Sequence, residues 1–351
     1  MNYEEIEYAG GLEEKKISDK SESAKDNILR FYNTNKGICD ESYKYYSEFN
    51  AKMAEYLKKQ IHMEPSEFLN RVDEKKILIM TANQIERSIL LRRLCEKKGG
   101  KLDSFMVGSY IYNVYNGFKS RKGSVSLIHA DPGRTGEDFT RRLLNNTCMV
   151  FKPNCIVALG ICYGFNKKEK KIGDVLLSDN VTVFRINYRD SRGTNVRIEA
   201  ETEFEKQPSN RMLQLSLQKS MYIQPKNFLS KEEEPVYARM QTGRFLSINS
   251  LMSNTSVKQA LVDQYGRIKP KLAAGEMEGP GLLKSDYVQE QGFSNWLIMK
   301  SICDWGEMKN DLSDNEEEND RIKDSLQAFA MVNSCSAFET ILPGLCEVCY
   351  E

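Results

Sequence analysis

Apolar positions fall in two alternating rhythms along most of the chain: short continuous runs that read as strands, and runs spaced by three and four that read as helices. Lys75–Thr81 (KKILIMT) is a β-rich run, and Ile85–Leu94 follows with helical spacing and Asn83 as its cap. Phe105–Tyr115 and Gly123–His129 read as strands, joined by a hairpin-like turn at Asn116-Gly117. After a helical pattern through Leu144, Cys155–Gly164 (CIVALGICYG) is a buried strand running into a glycine turn, and Ile172–Asp179 enters the next strand. Val181–Tyr188 continues it. Arg189–Glu205 is a polar stretch turning at Arg192-Gly193, followed by a helix through Met212–Tyr222, a strand at Gly243–Asn249 and a helix at Val257–Tyr265. The apolar run Trp296–Met299, an acidic loop at Lys309–Asp320 and a final helix at Arg321–Leu342 complete the pattern. Strands alternating with helices predict an α/β domain, and no internal repeat interrupts it.

The first seventy or so residues have another texture. Glu13–Asp26 is charged and rich in Ser and Lys, which favours a solvated segment. Ile28–Tyr32 and Tyr43–Ile61 carry aromatic and aliphatic residues at helical spacing. The expected organisation is a small, partly flexible helical module over 1–72, a main domain over 73–345 and a short tail over 346–351.

Composition narrows the function classes. The 351 residues include 50 Lys+Arg and 50 Asp+Glu, so no general attraction to nucleic acid or acidic membranes follows. The N-terminus has no basic and apolar leader pattern, and no run is long enough to span a bilayer, so a soluble cytoplasmic protein is expected. The nine Cys are an odd count, several inside apolar runs, as reduced buried thiols would be. Cys346 and Cys349 form one metal-like pair without a second, and only two His are present, so neither a metal nor a cofactor is expected.

Candidate chemistry gathers around Ala273–Gly281 (AAGEMEGPG). Small residues there allow close backbone approach to a ligand, and a carboxylate such as Glu276 or Glu278 suits the two hydroxyls of a sugar diol. Asp304 follows the apolar run at Trp296–Met299, and Glu86 lies between a strand end and a helix start; both are usual ligand positions in α/β sheets. Gly133, Arg134 and Thr135 belong to a glycine turn before a helix, where backbone N–H groups meet phosphate, carboxylate or sugar oxygens. It is not a P-loop, because no Gly-Lys-Ser/Thr follows. Gly160, Tyr163 and Gly164 form a pocket wall.

Taken in order, Thr81–Glu86, Gly133–Gly136, Leu159–Gly164, Ile172–Asp179, Glu276-Met277-Glu278 and Ser301–Asp304 resemble the nucleoside phosphorylase and nucleosidase superfamily, in particular its methylthioadenosine/S-adenosylhomocysteine nucleosidase-like branch. The resemblance covers about Lys75–Leu342. It implies a three-layer α/β/α domain around a central mixed, twisted sheet, assembled as a homo-oligomer. It also implies cleavage of an N-glycosidic bond, with an acid at the base and hydrogen bonds to the sugar. Asp304 stands where the family has the Asp that meets N7 of the purine, Glu278 where a Glu holds the ribose hydroxyls, Met277 where a Met lies under the sugar, and Glu86 near the Glu that orients the attacking water.

The departures matter too. Where phosphorolytic members carry phosphate-binding Arg and Ser, this chain has Ala158 and Ile161, which favours water over phosphate as nucleophile. Leu251 stands where an aromatic often stacks on the base, leaving Tyr163 or Trp305 as substitutes. Arg134, with Lys300 and Arg141 behind it, is the candidate for the 5′ end of a nucleotide. The Asp304-Trp305-Gly306 variant and the added helical module also resemble phosphorylase-like domains of bacterial antiviral defence proteins. The expected activity is therefore purine nucleoside or nucleotide hydrolysis; phosphorolysis and a non-catalytic sensor docking a partner through residues 1–72 stay open as alternatives.

Overall fold

A computed structural model describes residues 23–57, 60–97, 101–132, 136–191, 195–217, 222–223, 238–248, 272–306 and 312–351. Their strands are β1 (Ile61–His62), β2 (Lys75–Met80), β3 (Lys101–Val107), β4 (Tyr110–Lys119), β5 (Ser124–Ala130), β6 (Cys155–Gly164), β7 (Val175–Ser191), β8 (Asn195–Lys206), β9 (Tyr222–Ile223), β10 (Ala238–Ile248), β11 (Leu272–Glu276) and β12 (Trp296–Asp304). They form one mixed sheet in the order β1-β3-β4-β5-β2-β6-β11-β10-β7-β12, and β12 returns to pair with β6. The pairings β6–β11–β10–β7–β12–β6 therefore close a ring of five strands at one end of the sheet. β5, β2, β6 and β12 run parallel, so their C-terminal ends open on the same side.

The helices are α1 (Ala24–Thr34), α2 (Lys36–Leu57), α3 (Pro65–Leu69), α4 (Gln84–Cys95), α5 (Glu137–Val150), α6 (Asn210–Leu217), α7 (Gly279–Leu283), α8 (Asp286–Gln289) and α9 (Glu316–Val348). Alternate residues of β2 divide between the two faces. Ile77 and Ile79 join Ile89 and Leu91 of α4 and Val332 and Ile341 of α9, whereas Leu78 and Met80 join Leu143 and Leu144 of α5 and Leu282 of α7. This is the three-layer arrangement expected, with a core on each side of the sheet. Each fully buried Ile or Leu contributes about 1.5–3 kcal/mol, enough in aggregate to fix strand register.

The N-terminal helices pack directly on that frame. Ile28, Tyr32, Ile38 and Cys39 share a core with Phe329, the Phe31 and Phe329 rings lie 5.7 Å apart, and the Arg92 guanidinium stacks 3.8 Å from the Tyr45 ring centroid. Of the solvated segment expected at Glu13–Asp26, residues 13–22 lie outside the described residues, whereas Ala24–Asp26 form the first turn of α1 behind its cap Ser23; the helix expected at Val257–Tyr265 also lies outside the described residues.

Several local expectations are corrected. The turn between β3 and β4 is at Gly108, whose φ of 60° suits glycine, and Asn116-Gly117 lies within β4 as a bulge between Tyr115 and Phe118. Most of the polar stretch after Tyr188 is strand: β8 pairs antiparallel with β7 along its whole length, so backbone pairing rather than side-chain polarity decides the element. α6 is described over Asn210–Leu217, and Tyr222, expected at its end, pairs with Arg239 in a short strand instead. α9 starts five residues earlier than the apolar spacing indicated. Asn315 caps it by accepting from the Glu318 amide, and Glu316, Glu317 and Glu318 fill a first turn where the helix dipole favours acids. Its C-terminal end carries Cys346 into the core, so the boundary drawn at 345 falls inside the helix. All nine cysteines are free thiols. None of the described helices is long and apolar enough to cross a membrane.

Candidate active site

Glu86 is placed by its own helix start. Asn83 Oδ1 accepts from the Glu86 amide at 2.9 Å, while Glu86 Oε2 accepts from the amides of Ala82 and Asn83 at 2.5 and 3.3 Å, a capping box that fixes the carboxylate over the end of β2. Its other oxygen reaches across to β6 and accepts from the Ile161 amide at 2.8 Å. A Cβ on Gly160 would overlap this carboxylate, which is why the strand carries glycine there. Burial pushes the Glu86 carboxyl up to about 7, with the Glu278 carboxylate adding to the rise while Lys300 and the bonds from the Ala82 and Ile161 amides oppose it.

Glu276 ends β11 and turns back on the segment that follows. It accepts from the amides of Glu278 and Gly279, both at 2.9 Å to Oε2, and from the Ser247 hydroxyl of β10, so its oxygens hold the turn in shape. Burial raises its carboxyl, and Glu278 nearby adds to that. Glu278 itself is bonded to Lys300, whose ammonium also lies 3.6 Å from Glu276. Burial by itself pulls the ammonium down, but the Glu278, Glu276 and Glu86 carboxylates outweigh it and hold Lys300 above its ordinary value. Met277 is half-buried between the two glutamates.

Asp304 closes β12. It is 8% exposed, accepting from the Gly306 amide at 2.6 Å and from the Cys303 thiol at 3.3 Å. The Trp305 indole N–H donates to Asn27 of α1 at 2.9 Å, and a Cβ on Gly164 would come 2.6 Å from the indole ring. Tyr163 is buried, and its hydroxyl has no hydrogen-bond partner among the described residues. Lys300 and Asp304 of β12 pair in register with Gly160 and Tyr163 of β6, and Glu86 reaches the same stretch at the Ile161 amide. Thr81, Ala82, Thr140, Ala158, Glu278 and Lys300 line a small cavity of ≈ 10 Å³, room for about one water. A larger groove along Lys170, Asn180 and Arg244 holds none of these carboxylates.

The backbone has known relatives. A methylthioadenosine/S-adenosylhomocysteine nucleosidase from Colwellia psychrerythraea, solved with adenine, superimposes with a TM-score of 0.54 at 16% identity over 78% of this chain and 97% of that one. The futalosine hydrolase of Helicobacter pylori gives 0.51 at 16% identity, over 78% and 97%. This is the nucleoside phosphorylase and nucleosidase fold. No family model matches the sequence. A curated relative, the death domain-containing ATP nucleosidase of the sponge Amphimedon queenslandica, is 25% identical over 245 residues, which are 67% of this chain and 44% of that protein. This chain thus spans less than half the length of that relative.

Of the residues singled out from the sequence, the structure brings together Glu86, Gly160, Met277 and Glu278 at one group of strand ends, and Tyr163, Gly164, Asp304 and Trp305 beside them. Gly133, Arg134, Thr135 and Leu251 lie outside the described residues. Lys300, a secondary candidate for a ligand's 5′ end, is instead the counter-ion of Glu278 and Glu276, and Arg141 is half-exposed and paired with Asp138 at 3.0 Å. The signal for Lys300 was present: it is the one cation in a nine-residue strand that is buried throughout, and a buried lysine requires buried carboxylates. Asn27 carried no such signal, because its partner Trp305 is almost the whole chain away.

Proposed function

We propose that this chain is a purine nucleosidase that hydrolyses the N-glycosidic bond of an adenine nucleoside or nucleotide. The observation that carries the reading is the juxtaposition of Glu86, Glu278 and Asp304 at adjoining strand ends of this fold, each buried and each held by a separate element. Cleavage builds positive charge on the ribose and negative charge on the departing base. Asp304 hands a proton to the purine, Glu278 binds the ribose hydroxyls above Met277, and Glu86 orients the water that attacks the anomeric carbon. With Lys300 as their close counter-ion among the described residues, the glutamates give the sugar site net negative charge, which stabilises an oxocarbenium-like ribose. Ala158 and Ile161 offer no side-chain donor to a phosphate, which supports water as the nucleophile.

The name of the sponge relative supports ATP as the first substrate to try. Such turnover would drain adenine nucleotides, the role the antiviral resemblance calls for, and the chain acts as a homo-oligomer in this reading. Incubating the purified protein with ATP, AMP, adenosine, methylthioadenosine and guanosine, with and without phosphate, tests it by chromatography of the free base. Phosphate-independent release of adenine is expected. Strict dependence on phosphate would make the enzyme a phosphorylase, and no base from any substrate would leave a sensor.

A further inference from the structure

One wall of the cavity has its hydrogen bonding set from behind. Thr81, which directly follows β2, has its hydroxyl oxygen 2.9 Å from His129 Nε2. The other ring nitrogen, Nδ1, lies 3.1 Å from the Asn113 amide nitrogen, and Asn113 Oδ1 accepts from the Ser104 hydroxyl at 2.9 Å. Ser104, Asn113 and His129 sit on β3, β4 and β5 as successive cross-strand partners, and all four side chains of the row are buried. The row ends at the cavity that Thr81 shares with Glu278 and Lys300.

Proton bookkeeping gives the row a direction. An amide nitrogen only donates, so Nδ1 must present its lone pair. Burial and the nearby Arg87 guanidinium push the imidazole down to about 3, so the ring is neutral and carries a single N–H. That proton sits on Nε2 and is given to the Thr81 oxygen. The hydroxyl hydrogen of Thr81 is then free of His129 and available to the cavity. A carboxylate such as Glu278 accepts from a sugar hydroxyl but gives it nothing, so a complete hydroxyl site needs a donor as well.

We propose that Thr81 is that donor, a specificity-determining residue whose hydroxyl bonds a ribose hydroxyl oxygen while the ribose proton goes to Glu278, and that His129 is the positioning residue holding Thr81 in donor mode. The inference rests on the nucleosidase reading for its ligand, but the relay behind Thr81 stands on the geometry alone. Turning the Asn113 amide over would reverse the row: Nδ1 would carry the proton, Nε2 would accept from Thr81, and the hydroxyl hydrogen would be used up inside the protein.

The chain's two histidines make the relay directly readable. In ¹⁵N-histidine-labelled protein, long-range ¹H–¹⁵N correlation should report His129 as the neutral Nε2–H tautomer at pH 7, with His129→Gln assigning the signal. An Nδ1–H tautomer or an imidazolium there overturns the relay whatever the activity. Kinetics with adenosine, 2′-deoxyadenosine and 3′-deoxyadenosine read the ligand contact. Thr81→Val should lower kcat/KM on adenosine by about tenfold or more while changing it by no more than about twofold on one deoxy analogue, and Thr81→Ser should stay near the parent. An equal penalty on all three sugars, or none on adenosine, overturns the ribose contact. Failure of the parent chain to release base from any of them counts against the nucleosidase reading and the ribose contact together, and leaves the tautomer result standing.

Discussion

Lys300 and Glu278 form a buried ion pair between the strand that carries Asp304 and the turn that follows β11, with only 3% of the lysine side chain exposed. The same ammonium lies 3.6 Å from Glu276, so one cation compensates two buried carboxylates. Lys300→Met leaves both without it. Removing one partner of a buried pair costs about 3–5 kcal/mol, so this variant should show that loss in denaturant unfolding. A change below about 1 kcal/mol would mean the pair is solvated in the working protein.

Asp304→Asn keeps the shape and the acceptor for the Gly306 amide but cannot hand over a proton. It should fold as the parent does and lose about 10²–10⁴-fold in kcat, the usual contribution of a positioned acid. Glu278→Gln, tested alongside, should raise KM as well, because the amide presents one acceptor where the carboxylate presents two. Full kcat in Asp304→Asn would remove the acid assignment.

Glu86 makes activity and stability respond oppositely to pH. As the group that orients water it must be ionised, so its titration should give kcat/KM a limb that climbs with unit slope up to about pH 7. Its folded value lies above the unfolded carboxyl value of 4.5, so the native state holds that proton more tightly. The stability this provides is complete below about pH 4.5 and is lost as pH rises through 7, on the order of 3 kcal/mol in all. Glu86→Gln should flatten both profiles. A rate profile without a limb near 7 would exclude ionised Glu86 from the reaction.

Gly160→Ala probes the contact between β6 and α4. The added methyl overlaps the Glu86 carboxylate and forces it from the Ile161 amide, so activity should drop by at least about tenfold, one bond's worth of transition-state stabilisation. Crystallography of the variant should find the carboxylate displaced.

Trp305→Phe removes the indole N–H that Asn27 accepts while keeping the ring over Gly164. About 1 kcal/mol of stability should be lost, and Asn27→Ala should cost the same without adding to it. Additive losses in the double variant would show that the two residues act separately.

What the sequence determined by itself was local. Apolar runs such as those at Ile77–Met80, Cys155–Gly164 and Trp296–Met299 dictate buried strands because water disfavours their side chains, and Asn83 with Glu86 three residues later dictates a helix start by reciprocal capping. Those features, with the Glu-Met-Glu and Asp-Trp-Gly stretches, were enough to name the α/β class and most of the candidate site. The tertiary structure decided the partners. Glu276 and Glu278 are two residues apart with similar surroundings in sequence, yet one is bound to backbone amides and the other to Lys300, because only the closure of β6, β11 and β12 brings an amide turn to one and an ammonium to the other. Likewise the row from Ser104 to Thr81 exists only through strand register, since a shift of one residue would turn its side chains to the opposite faces. Burial patterns are written along a chain, but proton donors and counter-ions are chosen across it, by pairings that no local spacing encodes.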